Sequence, residues 1–110
     1  SGGVRSLKSS KPDIEGMLLE IEAEIKALSV EESFRKILLE DVELAIECFK
    51  EKNILCVTNC LGVLVGKLQT YIIFSPRNCS FMEKLLIHIH YLQQKLPPNG
   101  FYIDAWPYNE

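Results

Sequence analysis

The chain has 110 residues, enough for one domain with a single modest core. Apolar residues make up 47% and charged residues 25%, the balance of a folded globular protein and not of a disordered one. The net charge is −3 and Lys and Arg are scattered, which excludes the clustered basic face of a nucleic-acid-binding protein. We therefore expect no nucleic-acid partner.

Residues 1–12 are rich in Ser, Gly and Lys and end in a proline, which predicts a flexible leader. They begin Ser-Gly-Gly without a Met, so part of this leader is interpreted as a cloning remnant and is left out of the fold reasoning. Asp13 then offers an N-cap. Residues 13–110 are predicted to form a single helical domain.

Four amphipathic helices are predicted, because apolar residues recur at steps of three and four. Short connections join them and no hairpin signal interrupts them, so the simplest fold is an all-α, antiparallel up-down four-helix bundle. The predicted inner faces are Ile14, Met17, Leu18, Ile21, Ile25 and Leu28; then Phe34, Ile37, Leu38, Val42, Ala45, Ile46 and Phe49; then Ile54, Val57, Leu61, Leu64, Val65, Leu68, Tyr71 and Ile72; then Met82, Leu85, Leu86, Ile89, Leu92 and Leu96.

Local signals mark the helix ends. Capping boxes at Ser29–Glu32 and Ser80–Glu83 predict the starts of the second and fourth helices. A polar turn at Glu51–Asn53 separates the second from the third, and Ser75–Asn78, which contains a proline, ends the third. Pro97–Gly100 ends the fourth.

The third predicted helix, Ile54–Phe74, is the only segment long enough to be considered as a membrane span. It contains Asn59, Lys67, Gln69 and two glycines, and its strongest apolar residues fall on one face. We expect a buried helix, with the transmembrane interpretation as the alternative.

The four cysteines show neither a CxxC pair nor the Cys/His spacing of a zinc site. Cys56 and Cys60 are four residues apart, and the intervening turn places Cys48 across from Cys56. Cys79 begins the fourth helix, on the order of 20–30 Å away along the axis, so the four sulfurs are not expected to meet. We predict reduced, buried thiols of an intracellular protein and no metal site. A Cys48–Cys56 disulfide is the alternative.

No catalytic residues are predicted. His88 and His90 lie two apart on a helix and point in different directions, and neither follows a Glu by three residues as in di-iron bundles. The acidic residues of the first two helices lie between the apolar positions, where solvated faces belong. We expect no enzyme activity, no cofactor and no small-molecule substrate.

Gly62 and Gly66 are four residues apart in the third helix, and each costs a helix about 1 kcal/mol relative to alanine. We expect a compensating close approach of a neighbouring helix, that is, tight helix packing. A surface groove for a partner helix is the alternative.

The C-terminal segment is an irregular aromatic tail that contains Phe101, Tyr102, Ile103, Trp106 and Tyr108. Two interpretations stay open: Phe101 and Ile103 fold back over a groove of the bundle, or the exposed rings serve as binding anchors.

The order of these segments resembles the immunity proteins of pediocin-like (enterocin A type) bacteriocins. An acidic amphipathic helix is followed by Glu32–Leu38 (ESFRKIL); after the long third helix comes Ile73–Ser75 (IFS), and after the fourth comes Asn99–Tyr102 (NGFY). The resemblance spans roughly residues 14–108.

The resemblance implies a cytoplasmic four-helix bundle, peripheral to the membrane, that protects the cell by binding. Its partner would be the mannose phosphotransferase permease with bound bacteriocin at the inner membrane face. The C-terminal half would determine which bacteriocin is countered. The implied partner-recognition residues are His88, Tyr91, Lys95, Asn99, Phe101, Tyr102, Trp106 and Tyr108.

A second class of function is a non-enzymatic helical interaction module from a larger extracellular or phage protein. Disulfide bonds in the native protein would favour that class.

Overall fold

A computed structural model describes residues 13–75, 77 and 79–97, except for the side chain of Cys79. These residues contain four α-helices and no strand. The helices are α1 (Ile14–Lys26), α2 (Glu32–Lys50), α3 (Ile54–Phe74) and α4 (Cys79–Lys95). The prediction of an all-α chain with four helices is confirmed. The predicted leader and aromatic tail lie outside the described residues.

Each helix packs on two others. α1 packs on α2, α2 on α3 and α3 on α4, and α4 in turn packs on α1. The most extensive of these contacts joins α2 to α3. The four apolar faces therefore meet in one core.

The core is apolar throughout the described residues, among which no polar or charged side chain is buried. Burial of a large aliphatic side chain contributes about 1.5–3 kcal/mol, so this core is the main source of stability. The predicted inner faces are mostly buried, but the prediction that Ile37 is buried is wrong. Its side chain is 41% exposed, because it lines a surface groove between α2 and α3. The largest fully buried side chains are Leu18, Ile21, Ile25, Leu38, Ile54, Leu61, Leu64, Leu68, Met82, Leu85, Ile89 and Leu92.

The helix starts agree only in part with the predicted caps. Asp13 caps α1, since its carboxylate accepts a hydrogen bond of 2.8 Å from the backbone N–H of Gly16. The cap predicted at Ser29 is wrong, because α2 begins at Glu32 and its N-cap residue, Glu31, makes no side-chain cap bond. α4 begins at Cys79, one residue before the serine predicted to cap it.

Arg35 of α2 ties α2 to the end of α1. Its Nη1 donates hydrogen bonds to the carbonyl oxygens of Ile25 (2.8 Å) and Lys26 (2.9 Å). Its Nη2 donates to the carbonyl of Val30 at 3.3 Å, and its Nε pairs with Glu32 at 3.0 Å. The last carbonyls of a helix lack partners within that helix, so the guanidinium satisfies groups that would otherwise need water.

A three-residue turn joins α2 to α3, as the polar Glu51–Asn53 segment predicts. Lys52 adopts a left-handed conformation with φ 62°, which is uncommon for a residue other than glycine. The backbone N–H of Asn53 donates to the carbonyl of Cys48 at 2.8 Å, and its side chain accepts from the N–H of Cys56 at 3.1 Å. The turn thus sets the register of α2 against α3 at this end.

The tight packing predicted at Gly62 and Gly66 is wrong. Both residues are exposed, and a Cβ atom added to either would meet no other atom of the described residues within 4 Å. The glycines lie on the outer side of α3, since its buried residues face the core and the neighbouring helices. The alternative of an open surface groove fits Gly66, which lines the surface between α2 and α3.

α3 is also long and apolar enough to cross a membrane by length and composition, which by itself is weak evidence for a span. Its most apolar 18-residue window is 28% buried. The expectation of a buried helix therefore holds for one side only: Leu61, Leu64 and Leu68 are fully buried, while Val63 and Phe74 are exposed.

Gly62→Ala and Gly66→Ala should each stabilise the chain by about 1 kcal/mol, because alanine favours the helix and the added methyl meets open space. Chemical denaturation monitored by circular dichroism measures this change. Gly16→Ala is the control and should gain less stability, since the added methyl group would displace the Asp13 carboxylate that caps α1. Loss of stability in the Gly62 and Gly66 variants would show that a helix does pack against them.

Candidate functional site

A shallow groove between α1 and α4 contains two of the predicted recognition residues, His88 and Tyr91. Its volume is about 360 Å³. Ile87 and Tyr91 are 65% and 53% exposed, although both are large and apolar. We call this surface the α1–α4 groove; its lining residues are Met17, Glu20, Ile21, Glu24, Ile87, His88 and Tyr91.

Polar contacts fix the side chains around this groove. His88 Nδ1 lies 2.6 Å from Glu24 Oε2, which joins α4 to α1. The ammonium of Lys95 lies 4.8 Å from the ring centroid of Tyr91, a cation–π contact that holds both side chains on the outer surface. Three predicted recognition residues, His88, Tyr91 and Lys95, therefore lie in or beside this groove. The other five, Asn99, Phe101, Tyr102, Trp106 and Tyr108, lie outside the described residues.

The two histidines have different neighbours. His88 contacts Glu24 across the helix interface, whereas the ring of His90 pairs with Gln93 one turn further along α4, at 2.9 Å. Neither contact has the geometry of a nucleophile and its base.

A second and more apolar groove lies between α2 and α3, with a volume of about 650 Å³. The rings of Phe34 and Tyr71 stack in it with their centroids 4.4 Å apart. The sequence pattern predicted Ile37 in the core, and the only signal for this groove was the glycine pair, for which a surface groove was the alternative interpretation. The groove is lined by Phe34, Ile37, Val63, Gly66, Lys67, Thr70, Tyr71 and Phe74.

Three cysteines meet where the turn joins α2 to α3. Cys48 and Cys56 form a disulfide, with Cα atoms 5.9 Å apart. The prediction of reduced thiols is thus wrong for this pair, because the turn places the last turn of α2 directly beside the first turn of α3. Cys60 is free and buried one helical turn further along α3, and the three sulfurs lie within 4.8 Å of one another. The side chain of Cys79 lies outside the described residues.

The environment of Cys60 disfavours its thiolate. Burial raises the pKa of the Cys60 thiol above its ordinary value of 9.0, and the negative charge of Asp41 raises it further. Asp41 Oδ2 also lies 2.8 Å from Lys67 Nζ, an ion pair that joins α2 to α3. At neutral pH Cys60 is therefore a neutral thiol and a weak nucleophile.

No protein-family model, curated protein or solved structure matches this chain.

Reduction of the Cys48–Cys56 bond should lower the free energy of unfolding by about 2–3 kcal/mol, because the bond closes a loop of eight residues in the unfolded chain. Urea denaturation with and without a dithiol reductant measures the difference. A Cys48→Ser/Cys56→Ser variant is the control and should unfold identically under both conditions. If the wild-type chain is equally insensitive to reductant, the disulfide is absent.

The raised pKa of Cys60 should reduce stability at alkaline pH. The folded state favours the protonated thiol of Cys60. The stability that this preference contributes is fully present below the unfolded pKa of 9.0 and is lost as the pH rises towards the higher pKa of the folded state. Urea midpoints of the wild-type chain should therefore fall more steeply above pH 9 than those of Cys60→Ala. Parallel pH profiles for the two proteins would contradict this.

Proposed function

We propose that this chain acts by binding another protein, as an immunity protein against a pediocin-like bacteriocin. In this proposal the four helices form an antiparallel up-down bundle. Two features support that arrangement: the short α1–α2 and α2–α3 connections, and the return contact between α4 and α1. The resemblance in segment order points to the same arrangement.

The observation that carries the proposal is the exposure of Ile87 and Tyr91 on α4. Large apolar side chains that are more than half exposed gain free energy when a partner covers them, and rings such as Tyr91 lose little side-chain entropy when they do so. They lie in the C-terminal half of the chain, where the resemblance places the choice of bacteriocin. Lys95 keeps a positive charge beside Tyr91.

The proposed partner is the mannose phosphotransferase permease after the bacteriocin has engaged it. The protein would work in the cytoplasm, at the inner face of the membrane. The α1–α4 groove would contact the permease–bacteriocin complex, and the aromatic tail would extend that surface. Binding of this kind requires surface shape and apolar area but no catalytic group.

The Cys48–Cys56 disulfide favours a second candidate function. Disulfides persist in extracellular and surface-exposed proteins and are rare in a reducing cytoplasm. By this argument the chain is a helical interaction module of a larger extracellular or phage protein. The α1–α4 groove would serve as a binding surface in that case as well, with a partner outside the cell.

Cytoplasmic expression in a bacteriocin-sensitive strain tests the first function. The wild-type chain should raise the inhibitory concentration of at least one pediocin-like peptide, and Ile87→Ser/Tyr91→Ser should abolish most of that protection. A loss of about 1.4 kcal/mol in binding corresponds to a tenfold change in affinity, so a shift of at least about tenfold is expected.

Leu44→Ser is the matched control, because Leu44 is an equally exposed apolar residue, on α2 and away from the α1–α4 groove. It should protect as well as the wild-type chain. Unchanged killing across a panel of pediocin-like peptides would reject the immunity function, and equal losses in both variants would reject the α1–α4 groove.

A further inference from the structure

We propose that Cys48, Cys56 and Cys60 form a redox-controlled binding site for Zn²⁺, empty in the disulfide form and filled when the disulfide is reduced. The carrying observation is that the three sulfurs lie within 4.8 Å of one another at the junction of α2 and α3. This site is independent of the α1–α4 groove and of the function proposed for it.

The positions of the sulfurs suit a thiolate site. Zn–S bonds of about 2.3 Å in a tetrahedral arrangement place neighbouring sulfurs about 3.8 Å apart. The free thiol of Cys60 therefore needs to move towards the pair by no more than about 1 Å. The sulfurs of Cys48 and Cys56 need to separate to this sulfur–sulfur distance once the disulfide bond is broken.

The supporting backbone is already fixed. Cys56 and Cys60 lie one turn apart on α3, so their side chains share a face of that helix. Cys48 is held opposite by the hydrogen bond from the Asn53 N–H to its carbonyl. Two ligands lie on α3, and the third, Cys48, lies in the last helical turn of α2. Their fixed positions give the preorganisation that metal affinity requires.

The fourth coordination position can be reached from solvent. A surface pocket of about 390 Å³ is lined by two of the three cysteines, Cys56 and Cys60, together with Asn53, Asn59 and Asp41. A water molecule can enter there and complete the tetrahedron, as in zinc sites with three protein ligands. The carboxylate of Asp41 adds negative charge near the incoming cation, and the ammonium of Lys67, which pairs with it at 2.8 Å, offsets part of that charge.

A dithiol reductant opens the Cys48–Cys56 disulfide. It transfers two electrons and two protons to the Cys48–Cys56 bond and is itself oxidised to a disulfide. Zn²⁺ then displaces three protons from the three thiols and forms three Zn–S bonds. A bound cation deprotonates a coordinating thiol outright, so the raised pKa of free Cys60 makes binding pH-dependent but does not prevent it.

The test is a Zn²⁺ titration of the full chain against a chromophoric chelator. The protein is reduced with dithiothreitol, freed of it by gel filtration under nitrogen, and compared with the oxidised protein. The reduced chain should bind about one Zn²⁺ per molecule, and the oxidised chain should bind it far more weakly because Cys60 alone remains as a ligand. Alkylation of Cys60, followed by mass spectrometry, should be slowed by Zn²⁺.

Cys60→Ser is the informative variant, because it removes one ligand and leaves the Cys48–Cys56 disulfide able to form, so that the fold can be checked in the oxidised state. Its affinity should fall by more than about 100-fold, since even residues that only contact a ligand contribute about 10–100-fold. Cys79→Ser is the matched control and should bind as the wild type does. Binding by Cys60→Ser equal to the wild type, no binding by the reduced wild type, or a loss in Cys79→Ser would each overturn the proposal.

Discussion

The backbone N–H of Asn53 donates to the carbonyl of Cys48, and this bond closes the turn between α2 and α3. Because the turn has only three residues, it restricts the register in which α3 can pack on α2. The stacking of Phe34 on Tyr71 at the far end and the Asp41–Lys67 ion pair midway are made in that register. The cysteine cluster and the α2–α3 groove depend on it as well.

The described surface presents two grooves, the α1–α4 groove and the groove between α2 and α3. Ile87 and Tyr91 line one groove, and Ile37, Val63 and Phe74 line the other, while further exposed apolar residues such as Leu44 and Phe81 lie outside both. Two pairs of titratable groups lie beside the grooves: His88 with Glu24, and Lys67 with Asp41. Pairs of this kind join neighbouring helices and hold the side chains in place. The remaining reactive chemistry lies with the sulfurs at the α2–α3 turn.

The cysteine cluster bears on where the protein works. A Cys48–Cys56 disulfide suits an oxidising compartment, whereas the immunity function requires a reducing one. In a reducing compartment the same three sulfurs become thiols at a spacing suited to a metal ion. A bound ion would then join α2 to α3 as the disulfide does, so the turn between them is cross-linked in either setting.

Local signals in the sequence predict the helices and most of the core, because apolar residues recur with a period close to 3.6 and a proline or a polar turn marks the later breaks. The break between α1 and α2 has no such signal, and the cap predicted there at Ser29 is wrong. Tertiary structure alone decided the outward positions of Ile37 and Gly62, since several helix faces are apolar and only packing selects the buried one. It likewise decided that Cys60 joins Cys48 and Cys56, because sequence spacing does not fix how two helices are rotated against each other. His88 and Tyr91 were predicted as recognition residues, but the α1–α4 groove that they line was not, because its other wall is α1, which is distant in sequence.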